Sequence, residues 1–299
     1  MKKKSILSIV FLVAVSFIVI KCNTKTDKET ILTGTATVMV DESLLPIIEE
    51  QKQIFENKYK ATINLKGSSE AEIMQGLLKD SIHIAVLTRK LSIQDSLRIV
   101  KLKKKPRQTL FASDAIALIA NKKANDTLVT IQEIIDFMQG KTSTIKGLVF
   151  DNPNSSSVRY MNDLAGLIST PEKNIFSFKT NQEVIKYVSE NNGMIGVVGL
   201  NWLQQNNINL KNISLLSVKS LKNDAYIYPS QNNIADKSYP LARDLYIINC
   251  QGYDGLGMGF ASFVTGEIGQ RIILKSGLLP FRMPGRNIMI RKNIEKEIK

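Results

Sequence analysis

Hydroxyl side chains follow predicted β-strands and precede predicted helices at several places along the chain. Ser43 opens a helix after a first β-rich run, Ser68 and Ser69 hold the same position after a second, and Thr88 closes a third. Backbone N–H groups at a helix N-terminus lack partners within the helix and carry a partial positive charge, so they bind anions. Ser and Thr hydroxyls add donors there. The pattern predicts an anion-binding site, although Ser and Thr are also ordinary N-caps.

The most informative of these segments is Asp151–Ser157, which reads Asp-Asn-Pro-Asn-Ser-Ser-Ser. Its three consecutive serines, Ser155, Ser156 and Ser157, exceed what one N-cap needs. Ser69, by contrast, is accounted for by the capping box that it opens. In open α/β sheets, ligands bind beyond the carboxyl ends of the strands, where all of these segments fall.

Short apolar runs of strand type alternate with helical patterns over most of the chain. Strands are predicted over Thr35–Val40, Ala61–Leu65, Ile82–Leu87, Ala115–Ala120, Gly147–Phe150 and Met194–Val198. Helices are predicted over Leu44–Tyr59, from the capping boxes at Ser69 and Thr130, over Asn181–Glu190 and over Phe260–Ser276. This alternation predicts an α/β architecture with largely parallel sheets.

The N-terminus has the features of an export signal. Three lysines precede an apolar run from Ile6 to Ile20, and Lys21 and Cys22 follow; a basic start with a short apolar segment is typical of a signal peptide. A Cys directly after such a run resembles the lipobox of bacterial lipoproteins, although Lys21 stands where that pattern has a small residue. We predict a signal peptide over 1–21, lipid attachment at Cys22, a tether over 22–30, and a membrane-anchored protein in the periplasm or at the cell surface. An uncleaved anchor and a signal cut further on are the alternatives.

The charge and the metal-ligating residues narrow the possible functions. The 299 residues include 40 Lys and Arg, 27 Asp and Glu, one His and two Cys, for a net charge of +13. One His and two Cys exclude a self-contained zinc or iron–sulfur site, and we expect no metal and no cofactor. Without the four lysines of residues 1–21, 36 basic residues face 27 acidic ones, a net of +9. Much of this excess lies in Lys101–Arg107 and Arg282–Lys299, which suits an anionic membrane surface or a partner.

In their order, the segments resemble the phosphate-binding proteins of bacterial ABC importers, which have the type II periplasmic-binding-protein fold. The similarity covers residues 31–285. It is carried by Gly67–Ser69, Ala85–Leu91, Asn154–Ser157, Asn192–Val198, Tyr239–Tyr246 and Phe263–Gln270. The last three of these segments match parts of the family that serve the scaffold.

The resemblance implies a two-lobed fold, each lobe a mostly parallel sheet flanked by helices, with the ligand cleft between the lobes. We expect one lobe to comprise 31–110 and 237–299, and the other to comprise 111–236. The implied phosphate donors of the first lobe are Ser43 with the Leu44 amide, Ser68 and Ser69. Those of the second lobe are Ser155, Ser156 and Ser157.

Two departures from the family concern the charged ligands. Asp151 stands where the family has an Arg, and Thr88 aligns with the Asp that accepts the phosphate proton. We hypothesise that Arg89 or Arg159 supplies the positive charge, since arginine suits bidentate contacts with oxyanions. We hypothesise that Asp41, Glu42 or Asp151 supplies the proton acceptor. Another oxyanion, a phosphorylated small molecule, or a scaffold without a ligand are open alternatives.

These observations predict a non-enzymatic receptor that captures phosphate or a related oxyanion between two lobes and delivers it to ABC permease subunits. We expect it to be a monomer. The alternative is an anion sensor or surface interaction protein of the same fold. A hydrolase is disfavoured because the chain lacks a nucleophile motif and a metal cluster, and nucleic-acid binding is disfavoured by export.

Overall fold

The structure is a computed structural model that describes residues 29–125, 127–141, 144–205, 208–222 and 224–285. The predicted signal peptide, Cys22 and most of the tether lie outside the described residues, as does the C-terminal segment 286–299. Within the described ranges, none of the helices has the length and apolar character needed to cross a bilayer.

The elements follow one another in the predicted alternation. The chain begins with β1 (Gly34–Asp41), α1 (Leu45–Lys58), β2 (Ala61–Ser68), α2 (Glu70–Leu78), β3 (Ile84–Leu87) and α3 (Ile93–Lys101). It continues with β4 (Arg107–Asn121), β5 (Leu128–Thr130), α4 (Ile131–Met138), β6 (Gly147–Phe150), α5 (Ser156–Ala165), β7 (Ile175–Ser177), α6 (Asn181–Glu190) and β8 (Met194–Gly199). It ends with β9 (Ile213–Leu215), β10 (Ser217–Lys219), β11 (Tyr226–Ile227), α7 (Gln231–Ala235), β12 (Ala242–Asn249), α8 (Leu256–Thr265), α9 (Glu267–Lys275) and β13 (Leu279–Pro280). Three 3₁₀ turns cover Glu42–Leu44, Lys122–Ala124 and Leu200–Gln204.

The helix starts are fixed by local sequence. Ser69 and Thr130 each accept a hydrogen bond from the N3 amide while the N3 glutamate caps their own backbone N–H, so both predicted capping boxes are confirmed. The helix α1 carries a proline in its first turn, where the missing N–H costs nothing, and buries Ile47 and Phe55. These caps set the places at which strand ends turn into helix N-termini.

The principal sheet runs in the order β2-β1-β3-β12-β4-β8-β6-β7. In one half, β1 pairs in parallel with β2 and β3, and in the other half β6 pairs in parallel with β7 and β8. The strands β12 and β4 join the halves and run antiparallel to their neighbours. Each half thus has the predicted parallel set, closed by an antiparallel strand.

The molecule has two lobes with separate hydrophobic cores, and β4 and β12 run from one lobe into the other. Phe111 and Ala112 of β4 belong to the core of the first lobe, whereas Ala115 to Ala120 belong to that of the second. Leu241, directly before β12, packs in the second core, and Leu245 of β12 packs in the first. Both strands therefore pass between the lobes at the same level, where Asp114 and Arg243 are direct cross-strand partners.

One predicted element is wrong in its extent. The predicted helix over Phe260–Ser276 is two helices, α8 and α9, separated at Gly266, whose extended backbone (φ −78°, ψ 173°) ends one helix and begins the next. The two helices pack closely, since a Cβ on Gly269 would clash with the carbonyl oxygen of Val264. A continuous apolar periodicity does not reveal such a break, because both helices bury the same kind of face.

Candidate functional site

The side chain of Arg243 lies at the junction of the two lobes and contacts serines of both. Its Nη2 donates to Ser43 Oγ at 3.0 Å, its Nη1 donates to Ser156 Oγ at 3.1 Å, and Nη2 also meets Asp114 Oδ2 at 3.1 Å. The guanidinium is almost fully buried, with 3% of the side chain exposed. A buried arginine between two helix-start hydroxyls makes a compact centre for an anion.

Local sequence brings each serine to this centre. Asp41 ends β1 and its Oδ1 accepts from both the amide (3.0 Å) and the hydroxyl (2.6 Å) of Ser43, which fixes the 3₁₀ turn that follows. On the other side Ser155 is the N-cap of α5, and its Oγ accepts from the Val158 amide at 3.3 Å. Ser156 is then the first helical residue and points its hydroxyl to Arg243. Both contacts come from segments that follow a strand end, as predicted.

Several buried polar atoms around this centre have no hydrogen-bond partner within the described part of the chain. They are Asp41 Oδ2, Thr88 Oγ1, Asp114 Oδ1, Asp151 Oδ1, Ser157 Oγ and Arg243 Nε. Buried polar groups in proteins are nearly always paired, because an unpaired one costs about 1–3 kcal/mol. The set contains donors and acceptors from both lobes, which is the complement that a small, partly protonated oxyanion requires.

In the described part of the chain, four carboxyl groups accompany the Arg243 guanidinium, and two of them form a pair across the lobes. Glu42, of the first lobe, accepts from the Asn181 backbone amide at 3.2 Å, and the Asn181 side-chain amide donates both to Glu42 and to Asp151 Oδ2. Burial and the neighbouring Asp151 raise the pKa of Glu42 to about 8. Burial and the charge of Asp41 likewise raise the pKa of Asp151 to about 6, against the hydrogen bond from Ser155.

The other two carboxyl groups lie against the guanidinium. Burial raises the pKa of Asp41, opposed first by the positive charge of Arg243 and then by the hydrogen bond from Ser43. Burial also raises the pKa of Asp114, again opposed by Arg243. The centre therefore holds carboxyl groups that retain protons more readily than free ones and can donate as well as accept hydrogen bonds.

A groove between the lobes leads to this centre. Its volume is about 530 Å³, and residues of both lobes line it, including Asp41, Ser68 and Ser69 on one side and Asn152, Ser155 and Trp202 on the other. The deeper serines are fully buried below it, so the lobes are closed over the centre.

The predicted hydroxyl ligands differ in how they are placed. Ser43, Ser156 and Ser157 are buried together at the lobe junction, and Thr88 is buried at the end of β3. Ser68 is half-buried and lines the groove.

Other predicted phosphate donors serve as helix N-caps. The hydroxyls of Ser69 and Ser155 accept hydrogen bonds as N-caps, and the Ser69 amide donates a hydrogen bond to the Glu72 side chain. Leu44 follows Ser43 in the same turn and packs its side chain in the first core. Their proposed contacts with an anion stay predictions.

The two arginines that sequence reasoning put forward as the cation lie elsewhere. The Nε of Arg89 and the Nε of Arg159 contact the same Glu70 oxygen, at 2.6 Å and 2.8 Å. Arg89 is further paired with Asp95 and Arg159 with Asp163. The guanidinium that contacts Ser43 and Ser156 is that of Arg243. The anion-binding roles of Arg89 and Arg159 stay predictions.

Sequence reasoning missed Arg243 because Tyr239–Tyr246 matches a scaffold segment of the resembling family. A signal was nevertheless present, since Arg243 and Asp244 interrupt a strand that is otherwise mostly apolar. A charged residue inside such a strand must be paired if it is buried, and Asp114, on the neighbouring strand, is the partner.

Glu70 joins the lobes because it belongs to α2 of the first lobe while Arg159 belongs to α5 of the second. Two further hydrogen bonds also connect the lobes. Asn201 Nδ2 donates to the Ser43 carbonyl at 2.7 Å, and Trp202 Nε1 donates to the Glu42 carbonyl at 3.3 Å. These bonds stabilise the closed arrangement that buries the centre.

We expect Glu70→Gln to shift the protein toward an open form. The substitution removes the charge on which two guanidiniums converge, and a hydrogen bond to a charged group contributes about 1.5–3 kcal/mol. Trp202 is the chain's one tryptophan and bonds across the cleft, so its emission should move to longer wavelength. Affinity for a ligand enclosed by the lobes should fall about tenfold. As the control, Asp163→Asn removes an exposed partner of Arg159 and should change neither readout; equal effects of the two variants would contradict the assignment.

Comparison with known proteins agrees with this architecture. The family model described as a PBP superfamily domain matches residues 25–267. The chain belongs to the PBP superfamily. No curated protein sequence gives a significant match.

Solved structures show how widely this superfamily chain shares its fold. A phosphate ABC transporter substrate-binding protein with bound phosphate from Clostridium perfringens is 18% identical, with a TM-score of 0.69, over 83% of this chain and 100% of that one. An ABC-type phosphate transport receptor from Vibrio cholerae is 15% identical, with a TM-score of 0.64 and coverage of 83% and 100%. An OxyR variant from Corynebacterium glutamicum is 12% identical, with a TM-score of 0.56 over 90% of this chain and 72% of that one. At these identities the likeness is one of fold, so function must be argued from the site.

Proposed function

We propose that this protein captures inorganic phosphate, or a closely similar oxyanion, between its two lobes. The observation that supports the proposal most is the convergence of unpartnered buried donors and acceptors from both lobes on Arg243. Proteins with the same fold from Clostridium perfringens and Vibrio cholerae are phosphate-binding components of ABC transporters, the first solved with phosphate bound. The innermost ligand contacts in this proposal are Ser43, Thr88, Ser156, Ser157 and Arg243.

In the proposed site, the positive charge comes from a different segment of the chain than in the resembling family. Arg243 on β12 supplies the cation that the resembling family carries where this chain has Asp151. Asp41 and Asp151 then serve as proton acceptors, because each has a buried oxygen without a partner in the described ranges. Phosphate carries a proton at neutral pH and sulfate does not, so buried acceptors favour phosphate and arsenate over sulfate.

In the same proposal the protein is a receptor rather than an enzyme and passes its ligand to ABC permease subunits. A basic, apolar N-terminus and Cys22 support secretion and lipid attachment outside the cytoplasm. The ligand-binding roles of Ser68, Ser69, Ser155 and the Leu44 amide belong to this proposal too.

Calorimetric titration of the protein with phosphate, arsenate, sulfate and molybdate tests the ligand class. We expect saturable binding of phosphate and arsenate, sulfate at least a hundredfold weaker, and a matching rise in melting temperature, since a ligand of the native state stabilises it by mass action. Molybdate, which is larger and unprotonated, should bind weakly. Equal affinity for sulfate and phosphate would contradict the role of the acceptors, and no heat with any anion would overturn the proposal.

A further inference from the structure

Helix α3 exposes an apolar face that nothing in the described structure covers. Ile93, Leu97 and Val100 lie at helical spacing on one side and are 82%, 57% and 51% exposed, while Ile99 on the other side packs in the core. Leu102, directly after the helix, is also exposed. Single exposed apolar residues are ordinary, but a row of large aliphatic ones along a helix marks a contact surface.

Basic residues surround this row. The sequence from Ile93 to Arg107 contains six Lys and Arg against one Asp, a net of +5. Lys101, Lys103 and Lys105 are exposed, whereas Lys104 reaches Asp80 at 3.3 Å. The single acidic residue, Asp95, is engaged by Arg89. We call α3 together with residues 101–105 the basic apolar face.

The lysines of this face lie at the end of the first lobe where the N-terminal segment joins that lobe. Asp80, the partner of Lys104, also contacts His83 at 3.1 Å, and His83 lines the same groove as Glu29, the first described residue. The strands β1, β2 and β3 begin at this end and run toward the cleft. The lysines and the N-terminal segment therefore share the end of the molecule that lies opposite to the cleft.

The N-terminal segment places this end near a membrane. Residues 1–22, with their apolar run, are the predicted anchor, and six residues connect Cys22 to Glu29. A fully extended chain of that length spans about 20 Å. A tether of this length lets the lysines approach a bilayer that holds the anchor to within one Debye length, the distance over which anionic headgroups attract them.

We propose that the basic apolar face docks on an anionic lipid bilayer. Ile93, Leu97 and Val100 enter the interface between headgroups and acyl chains, and the lysines at the end of the helix contact the anionic headgroups. An acidic protein partner would require apolar complementarity as well as charge, whereas a bilayer supplies both without a matched shape.

The test uses the full-length chain reconstituted into vesicles that carry brominated acyl chains. Wild-type protein has a single tryptophan, Trp202, in the cleft, so Leu97→Trp adds one reporter on the face. The matched control is Ile168→Trp, which replaces a fully exposed isoleucine of the second lobe. The N-terminal segment attaches all three proteins to phosphatidylcholine vesicles and to vesicles with added phosphatidylglycerol alike, so the difference between the lipids reports the face.

We expect bromolipid quenching of the added Leu97→Trp fluorescence on phosphatidylglycerol-containing vesicles, little on phosphatidylcholine alone, and reversal by salt. Adding Lys101→Gln, Lys103→Gln and Lys105→Gln should reduce the quenching to the level of Ile168→Trp, since each basic residue near an anionic surface strengthens binding about fivefold. Phosphate titrations of the same variants should match wild type, which separates this proposal from the ligand assignment. Equal quenching of the Leu97→Trp and Ile168→Trp proteins, or quenching that is insensitive to both salt and the lysine variants, would overturn it.

Discussion

Replacing Arg243 should remove phosphate binding almost entirely. Among the residues that the structure describes, Arg243 is the one guanidinium that contacts hydroxyls of both lobes at the proposed centre, through Ser43 and Ser156. A hydrogen bond between charged groups, such as one from the guanidinium to a phosphate oxygen, contributes about 1.5–3 kcal/mol. Losing two such bonds to phosphate should lower the affinity about a hundredfold or more. Calorimetric titration with phosphate measures it.

The variant must be designed so that the protein still folds. Arg243→Gln alone leaves Asp114 buried without its partner, and breaking a buried ion pair on one side costs about 3–5 kcal/mol. The double variant Arg243→Gln/Asp114→Asn neutralises both groups and keeps hydrogen-bonding side chains on the paired positions of β4 and β12. A thermal melt close to that of wild type shows that the fold is intact.

Three other arginine variants separate the role of Arg243 from those of arginines outside the proposed centre. Arg159→Gln removes the contact with Glu70 between the lobes and should weaken phosphate binding about tenfold through closure alone. Arg271→Gln, on the surface of α9, should have no effect. If Arg159→Gln or Arg89→Gln abolished binding while the Arg243 double variant bound as wild type does, the cation would be the one that sequence reasoning named.

The stability of the ligand-free protein should fall as the pH rises toward 9, and Glu42 should be one of its main causes. The pKa of this carboxyl is raised from 4.5 to about 8 in the folded protein by burial and by Asp151. A raised pKa means that the folded state holds its proton more tightly than the unfolded state does. The stabilisation is therefore fully present below about pH 4.5 and is lost as the pH rises through about 8, with an upper bound of about 5 kcal/mol.

Glu42→Gln should reduce this dependence over the range in which Glu42 titrates. A glutamine oxygen can accept from the Asn181 amides as the carboxyl does, but it cannot ionise. Urea unfolding at pH 5 and pH 9 should give a large decrease for wild type and a smaller one for the variant, which becomes the more stable protein at pH 9. Asp151, with its pKa of about 6, should leave a smaller residual slope below neutral pH. Glu190→Gln, on the exposed end of α6, is the control.

If the stability of Glu42→Gln still fell steeply between pH 5 and pH 9, groups other than Glu42 would cause the pH dependence. The charged groups that act on Glu42 are Asp151, from the second lobe, and Asp41, at the end of β1. Since ionising Glu42 and Asp151 together places two charges across the lobe junction, the Trp202 emission of wild type should shift to longer wavelength over the same pH range.

Local sequence was sufficient for most of the elements. The alternation of apolar runs and amphipathic patterns predicted the parallel strands, and the capping boxes at Ser69 and Thr130 located helix starts because capping depends only on residues three apart. Strand-end hydroxyls at Ser43 and Ser156 could be recognised for the same reason. The break at Gly266 could not, since the periodicity on both sides is that of one helix.

The charges of the site were decided by tertiary structure alone. Whether an arginine faces a ligand or a carboxylate depends on contacts between residues far apart in sequence, such as Arg159 with Glu70 and Arg243 with Ser43, which are 89 and 200 positions apart. Sequence therefore determined which segments approach the cleft, through short-range capping and strand polarity. Only the crossing of β4 and β12 between the lobes placed Arg243, paired with Asp114, at the centre of the proposed site.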